Sequence, residues 1–126
     1  MNKEVYTPKS VKVFGGPVSK VAIAGGFAFI SGQISMDPVT GEIRRGTIEE
    51  ETEQVLTCIK LVVEELGVTL DDVVKCDVYL STMDDFAGMN SVYARYFGTE
   101  HPPARCAVTV APWGGMKVEI ATIVKL

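Results

Sequence analysis

The residue pattern predicts an α+β domain, a mixed β-sheet with two helices packed on one of its faces. Three observations carry that reading. Short runs of strand type come in pairs toward the two ends of the chain, two amphipathic helical runs lie between the pairs, and one alternating strand separates the helices. The resulting order is ββ, α, β, α, ββ. Gathering helices on one face of a sheet buries the apolar side of both layers. The 126 residues carry no linker, internal repeat or low-complexity tract, so residues 1–126 read as a single domain.

Each element has its own local cause. Val21-Ala-Ile-Ala and Phe27-Ala-Phe-Ile flank Gly25-Gly26, a pair suited to the positive φ angles of a tight hairpin. Asp37-Pro-Val-Thr-Gly41 is a turn by composition. Thr47 followed by Glu50 forms a capping box, and Ile48, Val55, Ile59, Val62, Val63 and Leu66 then recur at helical spacing until Gly67 stops the run. The acidic cluster Glu49-Glu50-Glu51 with Glu53 falls on the first turns, where the helix dipole favours it. From Val73 to Leu80 the pattern alternates, placing Val74, Cys76, Val78 and Leu80 on one face and Lys75 and Asp77 on the other. A second helix runs from near Thr82 to Gly98. Its stripe of Phe86, Met89, Tyr93, Tyr96 and Phe97 reads as core rather than as a cofactor box. Two strands near residues 105–110 and 117–125 close the chain, joined by Ala-Pro-Trp-Gly-Gly-Met.

Composition narrows the function. Apolar residues make up 47% of the chain, generous for a domain with so little interior, so part of that surface is expected to close a subunit interface. A net charge of −4 disfavours nucleic acid as a partner, since phosphate binding needs clustered Lys and Arg. No apolar run approaches the roughly 18 residues of a membrane span, and no leader pattern opens the chain; a cytoplasmic protein is expected. Cys58, Cys76 and Cys106 lie far apart with no CxxC pair, which argues against a disulfide framework or a zinc site. Cys58 and Cys76 fit small core positions. A nucleophilic Cys106 would need His101, the single histidine, together with a third orienting group.

Two charged residues stand inside runs that otherwise read as buried strands. Arg105 precedes Cys-Ala-Val-Thr-Val, and Glu119 sits between Val118 and Ile120. Buried charges are normally paired or bound to a ligand. The planar fork of an arginine matches a carboxylate, and a nearby carboxylate can hold a water or pass a proton. The two residue types therefore fit a small pocket for an anionic metabolite. They fit a structural ion pair, or two charges on a solvated face, as well.

A set of short motifs adds to this. Gly16-Pro17 precedes the first strands, followed by Ile30-Ser31-Gly32-Gln33-Ile34 and Asp37-Pro38-Val39-Thr40-Gly41-Glu42. Asp85-Phe86, Asn90, Tyr93 and Phe97 fall in the second helix, and Pro103-Ala104-Arg105 and Val118-Glu119-Ile120 complete the series. In order and spacing the chain resembles the RidA (YjgF) family of small enamine/imine deaminases over nearly its whole length. The resemblance implies a chorismate-mutase-like fold and a homotrimer whose sheets form an inner barrel, with sites in the clefts between subunits. It implies hydrolysis of 2-enamine or 2-imino acids to 2-keto acids and ammonia, with no cofactor and no metal. It assigns Arg105 to the substrate carboxylate and Glu119 to the attacking water, with backbone groups of Ser31, Gly32 and Cys106 lining the pocket. Two features depart from the family. Val18 stands where relatives carry a tyrosine after Gly-Pro, and Ala111-Pro112-Trp113-Gly114-Gly115 forms a shorter last loop. Trp113 or Phe14 is the candidate for the missing aromatic wall. Alternative readings are a non-catalytic module binding small keto or amino acids, and the endoribonuclease or translation-inhibitor role attached to relatives. The acidic charge and the lack of an aromatic-basic stripe disfavour the last.

Overall fold

In a computed structural model, which describes residues 1–126, the chain forms one six-stranded sheet and two α-helices. The strands are β1 (Glu4–Tyr6), β2 (Val21–Ala24), β3 (Phe27–Gln33), β4 (Val73–Leu80), β5 (Ala104–Thr109) and β6 (Val118–Lys125). The helices are α1 (Ile48–Glu65) and α2 (Phe86–Phe97). The sheet runs β1-β2-β3-β6-β4-β5; β4 and β5 pair in parallel and every other pair is antiparallel. The expected α+β layering is present. Strand β1 was not expected: its three residues are too few to show a period, and its hold on the rest is tertiary. Glu65 on α1 accepts hydrogen bonds from the Tyr6 hydroxyl and from the Lys9 and Ser10 backbone amides, strapping the segment after β1 to the helix.

Local chemistry explains most boundaries. Thr47 caps α1 through the Glu50 amide while the Glu50 carboxylate returns to the Thr47 amide, both halves of the expected box. Gly25 and Gly26 take φ of 60° and 81°, the paired positive angles of a two-residue hairpin turn. The segment after Thr82 begins as a short 3-10 turn, Met83–Asp85, before α2 proper. Two expectations need correction. The register of β4 slips between Val73 and Lys75, so Val73 is buried and Val74 faces solvent, reversing the first step of the alternation. Residues 104–109 form an edge strand whose side chains are largely exposed in the single chain, because only β4 flanks it.

The core lies between the helices and one sheet face. Val21, Ile30, Val78, Leu80, Ile120 and Val124 meet Leu56, Ile59, Val62 and Met89 there, all essentially closed to water. Each such side chain contributes about 1.5–3 kcal/mol through burial. The opposite sheet face carries no helix. Strand register aligns Val5, Ala22, Phe29 and Ile123 into one apolar row across it, with Val5 and Phe29 well exposed.

Candidate active site

Arg105 sits on the edge strand directly beside Cys76 of β4, so the two share the face that carries the helices. Its side chain runs toward α2, whose 3.6-residue period sets Phe86, Asn90 and Tyr93 along one stripe. Arg105 Nη1 donates to Asn90 Oδ1 at 2.6 Å. The guanidinium carbon stands 4.7 Å from the Tyr93 ring centre and 5.4 Å from that of Phe86. This aromatic platform and the amide fix the plane of the fork, and cation–π attraction favours the charge there. No carboxylate of the chain forms an ion pair with Arg105. The group is charged, oriented and open.

Glu119 lies on the other side of the sheet. It pairs with Tyr79, which alternates away from buried Val78 and Leu80, so its carboxylate points to the face without helices. There Oε1 accepts from the Trp113 backbone amide at 3.3 Å. Oε2 rests on Gly32, where any β-carbon would collide with it; only glycine admits the carboxylate at this point. The irregularity of β3 between Ile30 and Gln33 makes that room by lifting Ser31 and Gly32 out of the ladder. Ser31 is anchored in turn, its Oγ donating to Ser19 O at 2.7 Å and its amide to Lys20 O at 2.9 Å.

The loop before β6 is braced from the start of α1. Arg45 donates to Gly114 O at 2.6 Å and to Gly115 O at 3.3 Å. Glu51, 1% exposed, accepts from the Lys117 amide at 2.9 Å. These contacts hold the segment that delivers both the Trp113 amide and Glu119. Sequence reading did not find Arg45, Glu51 or the part played by Asn90, because each acts across 15 or more residues. Of the remaining candidates, Cys106 is exposed on the outer strand beside Arg105, with its thiol free. Val18 is exposed next to Ser19, and Trp113 is 66% exposed with its ring in the open. Phe14 and Lys12 both lie over Gly41 of the 37–42 turn. No cluster of His, Cys, Asp and Glu has metal-ligand geometry.

Within one chain, then, the groups form two half-sites. Arg105, Asn90 and the aromatic platform lie on the helix side of the sheet edge; Ser31, Gly32, Glu119 and the Trp113 amide lie on the bare side. An intrachain Arg105–Glu119 ion pair is excluded by register.

Comparison with known proteins bears on the family and the fold. Residues 11–126 match the family described as Endoribonuclease L-PSP. A RutC family protein of Pyrococcus horikoshii is 50% identical over 111 residues, covering 88% of this chain and 86% of the relative. A goat protein named 2-iminobutanoate/2-iminopropanoate deaminase is 40% identical over 110 residues, covering 86% of this chain and 79% of its own. The crystal structure of TdcF from E. coli with bound serine superposes with a TM-score of 0.86 at 30% identity, covering 98% of each chain. The motif series, the sheet order and these matches converge: the chain belongs to the Endoribonuclease L-PSP family, the RidA (YjgF) family.

Proposed function

We propose that the protein hydrolyses 2-enamine and 2-imino acids to 2-keto acids and ammonia, at sites completed between the subunits of a homotrimer. The observation that carries this is Arg105: a guanidinium held flat by Asn90 and Tyr93, with no carboxylate of its own chain to satisfy it. Such a fork fits a substrate carboxylate bidentately. Glu119, on the opposite sheet face, is brought to the same substrate when the edge strand of one subunit lies against the bare face of the next. The row of Val5, Phe29 and Ile123, open to solvent at Val5 and Phe29, supports that packing, since a homo-oligomer interface buries such a surface.

The chemistry asks little of the protein. Protonated imine carbon is electrophilic, and water adds to it to give a carbinolamine. Collapse expels ammonia as the carbon–oxygen double bond forms, with the proton passed from water to nitrogen. Glu119 holds the water and accepts its proton; Arg105 fixes the carboxylate, so that orientation alone lowers the barrier by several kcal/mol. Backbone groups of Ser31, Gly32 and Cys106 line the pocket. The test is turnover of imines generated in situ from several amino acids, followed by ammonia or keto-acid release. Acceleration over buffer that Arg105→Ala abolishes supports the reading, and no acceleration for any imine refutes it. Exposed Val18, standing where relatives carry a tyrosine, favours a second reading, a binding module for keto or amino acids. Binding without turnover in the same experiment selects it.

A further inference from the structure

Arg105 is the one arginine of the chain whose partner is a neutral side chain. Arg44 pairs with Asp37 and Arg95 with Glu53, while Arg45 holds the Gly114 and Gly115 carbonyls. Arg105 donates instead to the amide oxygen of Asn90 at 2.6 Å and forms no ion pair. A guanidinium carries only donors, so it meets the amide through Oδ1, and the orientation of the Asn90 amide follows from its partner.

Nothing in the helix itself asks for an amide here. Asn90 lies inside α2, where asparagine and aspartate are both poor helix formers and almost equal in size. Packing therefore does not choose between them. An aspartate would close an ion pair with Arg105, as Asp37 and Glu53 do with the other two arginines. On this exposed edge such a pair would add little to stability. It would, however, occupy the fork that a ligand needs. The amide changes only the charge: it orients the guanidinium and leaves it unneutralised. A local choice that forgoes an ion pair beside a candidate site points to function.

We infer that Asn90 is a positioning residue that sets the preference of this site for anions. The Tyr93 ring fixes the face of the guanidinium, at 4.7 Å, and Asn90 fixes its rotation in that plane. The neutral oxygen keeps the rest of the fork free for a ligand carboxylate. Other acidic groups near the start of α2 do not cancel the charge. Asp84 and Asp85 precede the helix and Glu49 of α1 lies against Gly88, but none of them pairs with Arg105. This inference rests on the carboxylate-clamp role of Arg105 in the proposed function and deepens it.

The test titrates 2-oxobutanoate calorimetrically at pH 7 into the full-length assembled wild type, Asn90→Ala and Asn90→Asp. Alanine removes the contact and leaves the fork open but unoriented; aspartate keeps the shape and closes the fork. The expected order of affinity is wild type, then Ala, then Asp. Asn90→Ala should bind about three- to fivefold more weakly, the loss of one neutral hydrogen bond. Asn90→Asp should bind about thirtyfold more weakly, because the ligand must displace the new carboxylate and then face it at close range. Urea melts should show Asn90→Asp at least as stable as the wild type, and in imine turnover its loss should fall on KM more than on kcat. A residue that only fills space gives the opposite order, with Asp close to the wild type and Ala weakest. That order, or equal binding by all three proteins, overturns the inference while the deaminase reading stands. If the wild type neither binds 2-oxobutanoate nor turns over any imine, the proposed function falls together with the inference, a result distinct from the others.

Discussion

Replacing Arg105 with lysine keeps the charge and removes the fork, and the structure sets the size of the loss. Arginine spends one nitrogen on Asn90 and lies over Tyr93 at 4.7 Å, leaving the rest of its edge for a carboxylate. Lysine brings a single ammonium that cannot make two parallel bonds to a carboxylate while holding Asn90. One charge-assisted hydrogen bond is lost, about 1.5–2 kcal/mol, with about 0.5–1 kcal/mol of aromatic contact. Together these weaken 2-oxobutanoate binding about 30- to 150-fold. Calorimetry on both proteins at pH 7 reads the difference. Arg105 is exposed on an edge strand, so scattering and circular dichroism should show an unchanged fold and assembly. Arg105→Ala should bind still more weakly and turn over no imine. If either variant binds 2-oxobutanoate as the wild type does, Arg105 is not the carboxylate clamp.

Glu119→Gln should retain ligand binding within about threefold and lose at least about a hundredfold in kcat, because in the proposed reaction its partner is the water rather than the carboxylate; loss of binding instead would reassign the residue. Light scattering at micromolar concentration should give a trimer. Phe29→Glu, which puts a charge in the bare apolar row, should yield smaller species without turnover, and an active monomer would refute the shared site. Lys20→Gln should raise stability at pH 7 by about 1–2 kcal/mol, discounted for the amine's access to water. With the folded amine at about 8 and the free one at 10.5, the unfolded chain binds more protons between those values. Wild-type stability should accordingly rise from pH 8 to 10.5, and Lys20→Gln should lack that rise in urea melts. Val18 is exposed, so Val18→Tyr has room for its ring and should speed deamination about tenfold, or roughly 1.4 kcal/mol in the barrier; slower turnover would mean that Trp113 already fills the wall.

Elements whose causes are local were legible in the chain. The Thr47–Glu50 box, the Gly25-Gly26 turn and the helical stripes of α1 and α2 depend on neighbours within one or two turns, and the structure reproduces them. What escaped depends on contacts distant in sequence. Strand β1 exists because β2 offers an edge and Glu65 offers acceptors. The exposure of Val74 comes from a slipped register that no alternation can reveal. The exposure of residues 104–109 follows from their place at the sheet edge, and apolar content cannot tell an edge strand that awaits a partner from a strand buried in its own chain.

The same argument decides how the two charged residues should be understood. Arg105 and Glu119 were legible as charges in apolar strands, but their meaning lies in parity. Cys76 pairs with Arg105 and Tyr79 with Glu119, three residues apart along one strand, and an odd separation puts the two side chains on opposite faces. A structural ion pair needs them on one face. A site shared between copies needs them on opposite faces, each beside the surface that a neighbouring copy would cover. The bare row through Phe29 and Ile123 and the open edge at β5 are the two surfaces that packing of this kind consumes. Under the proposed shared site, assembly and catalysis depend on the same contacts, so a substitution that weakens the interface without touching Arg105 or Glu119 should lower activity in step with the fraction of trimer.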